Sequence, residues 1–241
     1  MNSTRRTKIL VGAMTVIGLG AAGYAGFASH TPHKLLALAV LALAAATSRM
    51  RVKLPGINGT MSVNLPFLLT AIVNLSAAEA VLITVASTVV QCWPRKNTRF
   101  NPQQLDFNLS MMAFASSAAS LIFHATAHSV VLWHSTTIGL VLATLTMFVG
   151  QTIPVAGIVA VSEGKSIKQV WLSVAHLSFP YYVIGAGVTS ILQAIPSHPA
   201  WGLALAAFPV MFVIHRSYRA YFSAMAEALH QALAKAASAG A

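Results

Sequence analysis

The sequence predicts an all-α, polytopic transmembrane helical bundle, on three grounds: few charges, long apolar runs and basic residues gathered between those runs. Of the 241 residues, 8% are charged and 56% are hydrophobic, whereas soluble domains carry about 25% charged residues. So few charges cannot cover the surface of a soluble globule of this size. A net charge of +11 would indicate a nucleic-acid partner if the Lys and Arg residues shared a solvent-exposed face with aromatic residues. Here they do not, so we expect a lipid bilayer as partner and no nucleic acid.

Eight apolar segments follow one another along the chain. They cover residues 9–29, 35–47, 61–74, 77–92, 105–128, 136–161, 170–195 and 201–215. Several are shorter than the roughly 20 residues that cross a bilayer as a straight helix. We therefore predict a transmembrane domain over residues 1–215, with about eight membrane segments, followed by a cytoplasmic tail helix over residues 216–241.

The basic residues predict the orientation. With the N-terminus inside, 14 of the 15 Lys and Arg residues fall in inner connections, and only Lys34 falls outside. Cytoplasmic loops carry such an excess of Lys and Arg. This distribution predicts a multi-pass protein of the bacterial inner membrane with both termini in the cytoplasm. Cleavage of the first apolar run as a signal peptide is an alternative that leaves the later topology unchanged.

The segment over residues 61–92 has two interpretations. As one long helix, it would place Arg95, Lys96 and Arg99 outside. Ser76 followed by Glu79 forms a capping-box pattern, which favours a break between two short helices. The pattern thus predicts a squat or re-entrant helix pair shielded by its neighbours.

One face of the fifth segment is small or polar along its whole length. It carries Asp106, Ser110, Ala113, Ser117, Ser120, His124 and His128. Small residues allow membrane helices to approach closely, which favours a packing seam. The alternative is a cavity wall or polar relay, because intramembrane ionisable groups are often functional.

His124 and His128 stand four residues apart, at the spacing of a metal-binding pair. A zinc protease would need Glu where Ala125 stands, so that chemistry is absent and the pair is only a weak metal candidate. The sequence also contains no phosphate-binding loop, nucleophile elbow or dinucleotide fingerprint. We expect neither an enzyme nor a cofactor.

Polar residues in or near the apolar segments are candidates to line a small-molecule pocket. The candidate ligand-binding residues are Asn64, Asn74, Asp106, Asn108, Ser117, Gln151 and His176. Each could instead bond a neighbouring helix. The sequence Phe179-Pro-Tyr-Tyr182 is the best candidate for an interruption of a membrane helix, because proline removes a backbone donor.

The tail carries an apolar heptad pattern. Its coupling positions are Tyr218, Phe222, Met225 and Leu229, spaced four, three and four residues apart. That spacing predicts either a weak two-stranded coiled coil, which would make a homodimer, or a helix lying on the membrane. A last membrane segment that runs into such a helix is typical of membrane sensors that signal to cytoplasmic domains.

Three stretches resemble membrane-associated sensor (MASE-like) modules, which precede HD-GYP and GGDEF domains. They are Val52-Lys-Leu-Pro-Gly-Ile-Asn-Gly-Thr-Met-Ser-Val-Asn64, Leu105-Asp-Phe-Asn108 and Arg216-Ser-Tyr-Arg-Ala-Tyr-Phe222. The resemblance implies a multi-span sensory or scaffolding module of a bacterial signalling system, and a cytoplasmic signalling protein as partner. The 241 residues contain no GGDEF, EAL or HD-GYP sequence, so we expect a module without an output domain.

Two other functions compete with the sensor. Residues 65–90 are similar to the short-helix start of vitamin-uptake S components, which implies the substrate-binding subunit of a small-molecule transporter. A membrane scaffold without a ligand is the third interpretation.

Overall fold

The computed structural model describes residues 3–27, 34–53, 60–94, 100–127, 136–194 and 200–239. Within these ranges the chain forms eight helices and one two-stranded antiparallel ladder. The helices are α1 (Ser3–Phe27), α2 (Lys34–Ser48), α3 (Leu65–Asn74), α4 (Ala77–Cys92), α5 (Pro102–Ala127), α6 (Thr136–Glu163), α7 (Ile167–Gln193) and α8 (Ala200–Ala239). The strands are β1 (Arg51–Lys53) and β2 (Thr60–Ser62).

The all-α prediction is confirmed, but the prediction of eight membrane segments is not supported. Among the described residues, three helices are long and apolar enough to span a membrane: Arg5–Phe27, Pro102–Thr126 and Thr136–Glu163. Helices α2, α3 and α4 are apolar but only 10–17 residues long. α7 has 27 residues but includes His176, Pro180 and two tyrosines, which lower its hydropathy below that of the three spans.

The strand ladder is the local departure from the expected helices. Val52 pairs with Met61 in the ladder, so the third helix begins at Leu65 rather than at residue 61. The β-branched Val52 and Val63 are buried, and the Val63 amide donates to the Met50 carbonyl at 3.2 Å. Extended backbone suits such buried β-branched residues.

Helices α3 and α4 form an antiparallel hairpin, so the interpretation of residues 61–92 as one long helix is wrong. The Ser76 side chain caps the Glu79 amide of α4, and the Glu79 carboxylate accepts from the Ser76 amide at 3.0 Å. The predicted capping box is therefore confirmed. Asn64, before α3, contacts Ser87, late in α4, which makes the two helices antiparallel.

Helix α3 is the centre of the core. Every residue from 65 to 72 is buried, and Phe67, Leu68, Leu69 and Ile72 are among the largest fully buried side chains. A helix that is apolar on all sides is stable only when other elements surround it. Helices α2, α4, α5, α6 and α7 supply that surrounding, so a 10-residue helix that cannot span a bilayer organises the fold.

Contacts between the long helices define their relative directions. Thr15 of α1 donates a hydrogen bond to Asp106 of α5, and Gly18 of α1 lies against the Ser110 backbone. The contacting residues follow the same order along both helices, so α1 and α5 run parallel. α6 is antiparallel to α5, because Gly139, near its start, adjoins Thr126, near the end of α5. α5 is the most buried of the three spans. In its apolar 18-residue stretch 56% of the residues are buried, compared with 44% for α6 and 22% for α1.

A tight turn joins α6 to α7. Gly164 has φ +67°, a conformation that L side chains rarely adopt, and the Lys165 amide donates to the Ala160 carbonyl at 3.1 Å. This is the Schellman arrangement that closes a helix with glycine after its last residue. The short turn returns α7 antiparallel to α6.

The interruption predicted at Phe179-Pro-Tyr-Tyr182 is wrong, because α7 continues through Pro180. Ser178, Tyr181 and Tyr182 flank the proline and are buried, so packing against neighbouring helices offsets the lost backbone bond. α8 is likewise one helix across Pro209 and from Ala200 into the tail.

Substitution of Gly18 tests the close contact between α1 and α5. A β-carbon there would lie 2.5 Å from the Ser110 carbonyl oxygen. We expect Gly18→Ala to reduce the free energy of unfolding by about 1–3 kcal/mol, the usual cost of overpacking. Thermal unfolding in detergent measures this, with Gly20→Ala as the matched control because nothing lies within 4 Å of its added carbon. Equal melting temperatures for the two variants would contradict the packing.

Candidate functional site

Most buried hydroxyl groups are satisfied within their own helix. Thr84, Thr144, Thr152 and Ser178 each donate to the carbonyl four residues earlier at 2.7 Å. Ser and Thr commonly bond back in this way in membrane helices. These residues are therefore part of the packing, and polar groups that bond between elements are better candidates for function.

The start of α3 is the first such place. The Leu65 amide donates to the Tyr181 hydroxyl oxygen of α7 at 2.8 Å. Pro66 has no amide hydrogen, and the next two amides both donate to the Asn64 carbonyl, at 3.1 and 3.2 Å. A helix start normally leaves several amides without partners. Here each one is satisfied inside the bundle, and Tyr181 supplies the acceptor that the local chain cannot.

One face of α7 is shaped to receive this helix start. A β-carbon on Gly185 would lie 2.8 Å from Leu65 Cδ2, and Thr189 donates to the Pro66 carbonyl at 3.2 Å. Tyr181, Gly185 and Thr189 are spaced four residues apart and thus lie on one side of the helix. We call this side the docking face of α7.

Aromatic side chains connect the docking face to α8. We call the connected rings of Phe148, Tyr182, Tyr181, Tyr218 and Phe222 the aromatic row. Successive ring centroids lie 5.2, 5.9, 6.4 and 5.7 Å apart. The first three contacts are edge-to-face, a favourable geometry for aromatic pairs. The row thus runs from α6 through α7 to the tail.

Two of the predicted coupling residues belong to this row. Phe222 is 4% exposed, and partial burial raises the pKa of the Tyr218 phenol above its ordinary value. Met225 is exposed, and the Leu229 side chain lies outside the described part. The first half of the predicted heptad seam is thus packed within its own chain.

A polar cluster lies beside the start of α3. Ser62 Oγ is 2.7 Å from Asn64 Oδ1 and 3.1 Å from Gln91 Oε1, and Asn64 Nδ2 is 3.4 Å from Ser87 Oγ. We call these four residues the polar cluster. One hydroxyl proton cannot serve both amide oxygens at once. The cluster contains no ionisable group, so it can bind a polar ligand or fix the hairpin but cannot perform acid–base chemistry.

Two arginines cap the C-terminal end of α4, next to the polar cluster. Arg49 Nη1 donates to the Val90 carbonyl at 3.3 Å, and Arg51 Nη2 donates to the Trp93 carbonyl at 3.2 Å. Cations stabilise the electronegative C-terminal end of a helix. α2 and α4 therefore finish at the same end of the bundle, where their basic residues have a defined structural role.

The small and polar face of α5 packs as a seam against α1. Asp106 Oδ2 accepts a hydrogen bond from Thr15 at 2.9 Å, and Ala113 shares a buried cluster with Ala25 of α1. Ser117 is 1% exposed and its hydroxyl has no partner in the described structure. The contacts favour close packing over a cavity wall, with Ser117 as an unsatisfied group within it.

The other predicted ligand-binding residues do not come together. Asn108 Nδ2 contacts Cys92 Sγ at 3.3 Å, near the polar cluster. Asn74 donates to the Thr70 carbonyl of its own helix, at the far end of α3. Gln151 contacts Met147 on α6, and the His176 side chain is exposed. Only Asn64 and Asn108 therefore approach a common region, the last turns of α4.

Of the predicted histidine pair, His124 lies on the last turn of α5 that the structure describes. His124 Nδ1 lies 2.8 Å from the Ser120 carbonyl, and its ring packs edge-on to Phe123. His128 lies outside the described residues. In the part of the chain that is described, no three His, Cys, Asp or Glu side chains are grouped as metal ligands.

The sequence patterns did not identify five of these residues as candidates. They are Ser62, Ser87, Gln91, Tyr181 and Thr189. The signal for two of them was present, since Ser87 and Gln91 lie four residues apart on one face of α4. The spacing of Tyr181 and Thr189 also places both on one side of α7. Their partners on α3, however, are 116 and 123 residues away, so no local pattern could identify them.

No family model, curated protein or solved structure significantly matches this chain.

Removal of the Tyr181 hydroxyl tests the anchoring of α3. Tyr181→Phe leaves the buried Leu65 amide without an acceptor, and we expect a loss of about 1–3 kcal/mol in the free energy of unfolding. Tyr182→Phe is the matched control, because Tyr182 is equally buried and its hydroxyl makes no hydrogen bond within the described structure. Denaturant titration in detergent measures both variants. A cost no larger for Tyr181→Phe than for Tyr182→Phe would contradict the anchoring role.

Proposed function

We propose that the chain is a sensory or scaffolding module of a bacterial signalling system, embedded in the inner membrane and without catalytic activity of its own. The observation that carries the proposal is the position of Tyr181, which contacts both the start of the buried hairpin and the aromatic ring of Tyr218 in the tail. A change in the hairpin thus has a direct physical route to α8.

The polar cluster is the place where a signal would enter. Ser62 contacts both Asn64 and Gln91, so a small polar ligand that bonded to one of these side chains would rearrange the other two. Asn64 precedes α3 directly, and any displacement of it moves the Leu65 amide relative to Tyr181. The ligand's effect on the equilibrium is limited to its difference in affinity for the two arrangements.

The membrane arrangement completes the proposal. We infer that all eight helices lie in or against the bilayer, with α3 and α4 as a re-entrant pair and both termini in the cytoplasm. Three observations support this arrangement. α1 runs parallel to α5, α6 runs antiparallel to α5, and Arg49 and Arg51 bind carbonyl groups at the C-terminal end of α4. The basic residues then face the anionic cytoplasmic leaflet.

The tail would transmit the signal to another protein. Tyr218 and Phe222 pack in the aromatic row of their own chain, whereas Tyr221 and Met225 are 62% and 37% exposed. Contact with a second copy or with a cytoplasmic signalling protein would therefore use the side of the tail that carries these exposed residues.

A tail substitution tests the coupling. We expect Tyr218→Leu, which removes the contact with the Tyr181 ring, to increase amide hydrogen exchange at residues 65–69 as well as in α8, in protein reconstituted into nanodiscs. Tyr221→Leu is the control, because Tyr221 touches Phe222 but not Tyr181. Faster exchange confined to α8 would contradict the coupling. A stoichiometric small molecule that is lost from Asn64→Ala, with no change in α8, would favour the transporter subunit instead.

Reporter fusions test the orientation. Because the basic connections would face inwards, we expect a C-terminal green fluorescent protein to be bright and a C-terminal alkaline phosphatase to be inactive. The same pair of reporters after residue 130 should give the reverse result. An active phosphatase at the C-terminus would overturn the arrangement.

A further inference from the structure

A groove lies between α6 and α7 near the Gly164 turn. It has a volume of about 310 Å³ and is lined by Ile153, Ala156, Ile167, Lys168 and Trp171. Its surface is apolar throughout, and Lys168 lines it with the methylene part of its side chain. The volume is at the lower end of ligand sites, and the groove is open along its side. Such a groove suits part of a long apolar chain better than a compact polar molecule.

The walls of the groove are held in place by contacts between the two helices. Trp171 Nε1 donates to Thr152 Oγ1 at 3.3 Å, which fixes the indole across the gap. Ala156 is fully buried with Val170 and Val174 beneath it. Ile153 and Ile167 are 47% and 56% exposed, so the groove opens on the outer surface of the bundle.

The charge at its rim indicates what binds there. Lys165 is paired with Glu163 at 2.6 Å, whereas Lys168 makes no ion pair within the described part of the chain. Leu10 of α1 reaches the same region, since its Cδ1 lies 3.7 Å from the β-carbon position of Gly157. An anionic group above the apolar groove would therefore find one unpaired cation, Lys168.

We propose that this groove binds an anionic phospholipid, with an acyl chain along Ile153 and Ile167 and the phosphate paired with Lys168. Trp171 and Lys168 are the residue types that mark the boundary between hydrocarbon and headgroups. An apolar lining next to a free ammonium group matches a lipid, which carries both chemistries in one molecule. The proposal requires the bilayer location and is independent of signal transmission by α8.

Lipid titration of the full-length chain tests the site. The protein in mild detergent is titrated with palmitoyl-oleoyl phosphatidylglycerol or with phosphatidylcholine of the same chains, and bound lipid is counted by native mass spectrometry. We expect preferential binding of phosphatidylglycerol, and a loss of affinity of about fivefold in Lys168→Gln, the effect of one cation near an anionic headgroup. Lys34→Gln, an equal charge change at the other end of the bundle, should retain the wild-type affinity.

A second variant tests the groove itself. Ile153→Trp fills the groove from an exposed position, so we expect it to weaken phosphatidylglycerol binding at unchanged charge and unchanged melting temperature. Three results would overturn the proposal: equal losses in Lys168→Gln and Lys34→Gln, full competition by soluble glycerophosphoglycerol, or a change of oligomeric state in Ile153→Trp without loss of lipid. The last result would assign the groove to a partner helix.

Discussion

The hydrogen bond from the Leu65 amide to the Tyr181 hydroxyl is the constraint on which the structure depends. It allows a helix of 10 residues to begin inside the bundle, where water cannot satisfy its first amides. A buried amide without a partner is expensive in an apolar environment. By meeting that requirement from α7, the fold can bury residues 65–72 of α3 among five neighbouring helices.

The same residue contacts both the buried hairpin and the tail. The Tyr181 ring lies between Tyr182 and Tyr218, so its hydroxyl end contacts α3 while its ring contacts α8. Interiors are close-packed, and a shift of one ring is passed to its neighbours. The docking face and the aromatic row thus meet at Tyr181.

Local signals in the sequence predicted much of the fold. Apolar runs located the helices, and Ser76 with Glu79 located the break between α3 and α4, because a capping box involves residues only three apart. The strand at residues 60–62 and the continuity of α7 through Pro180 were not predicted, because packing against distant residues decided both. For the site, Asn64 and the tail aromatics were identified from residue type and spacing. Tyr181 was not, since its significance depends on a partner 116 residues away.

The two capped ends of α4 bear on how the protein is made. Ser76 and Glu79 close its start, and Arg49 and Arg51 close its end across only 41 and 42 residues. During synthesis from the N-terminus, these groups are present as soon as α4 leaves the ribosome. The amide of Leu65, in contrast, waits until α7 is inserted. Both caps of α4 can therefore form before α7 supplies the Tyr181 hydroxyl that accepts from the Leu65 amide.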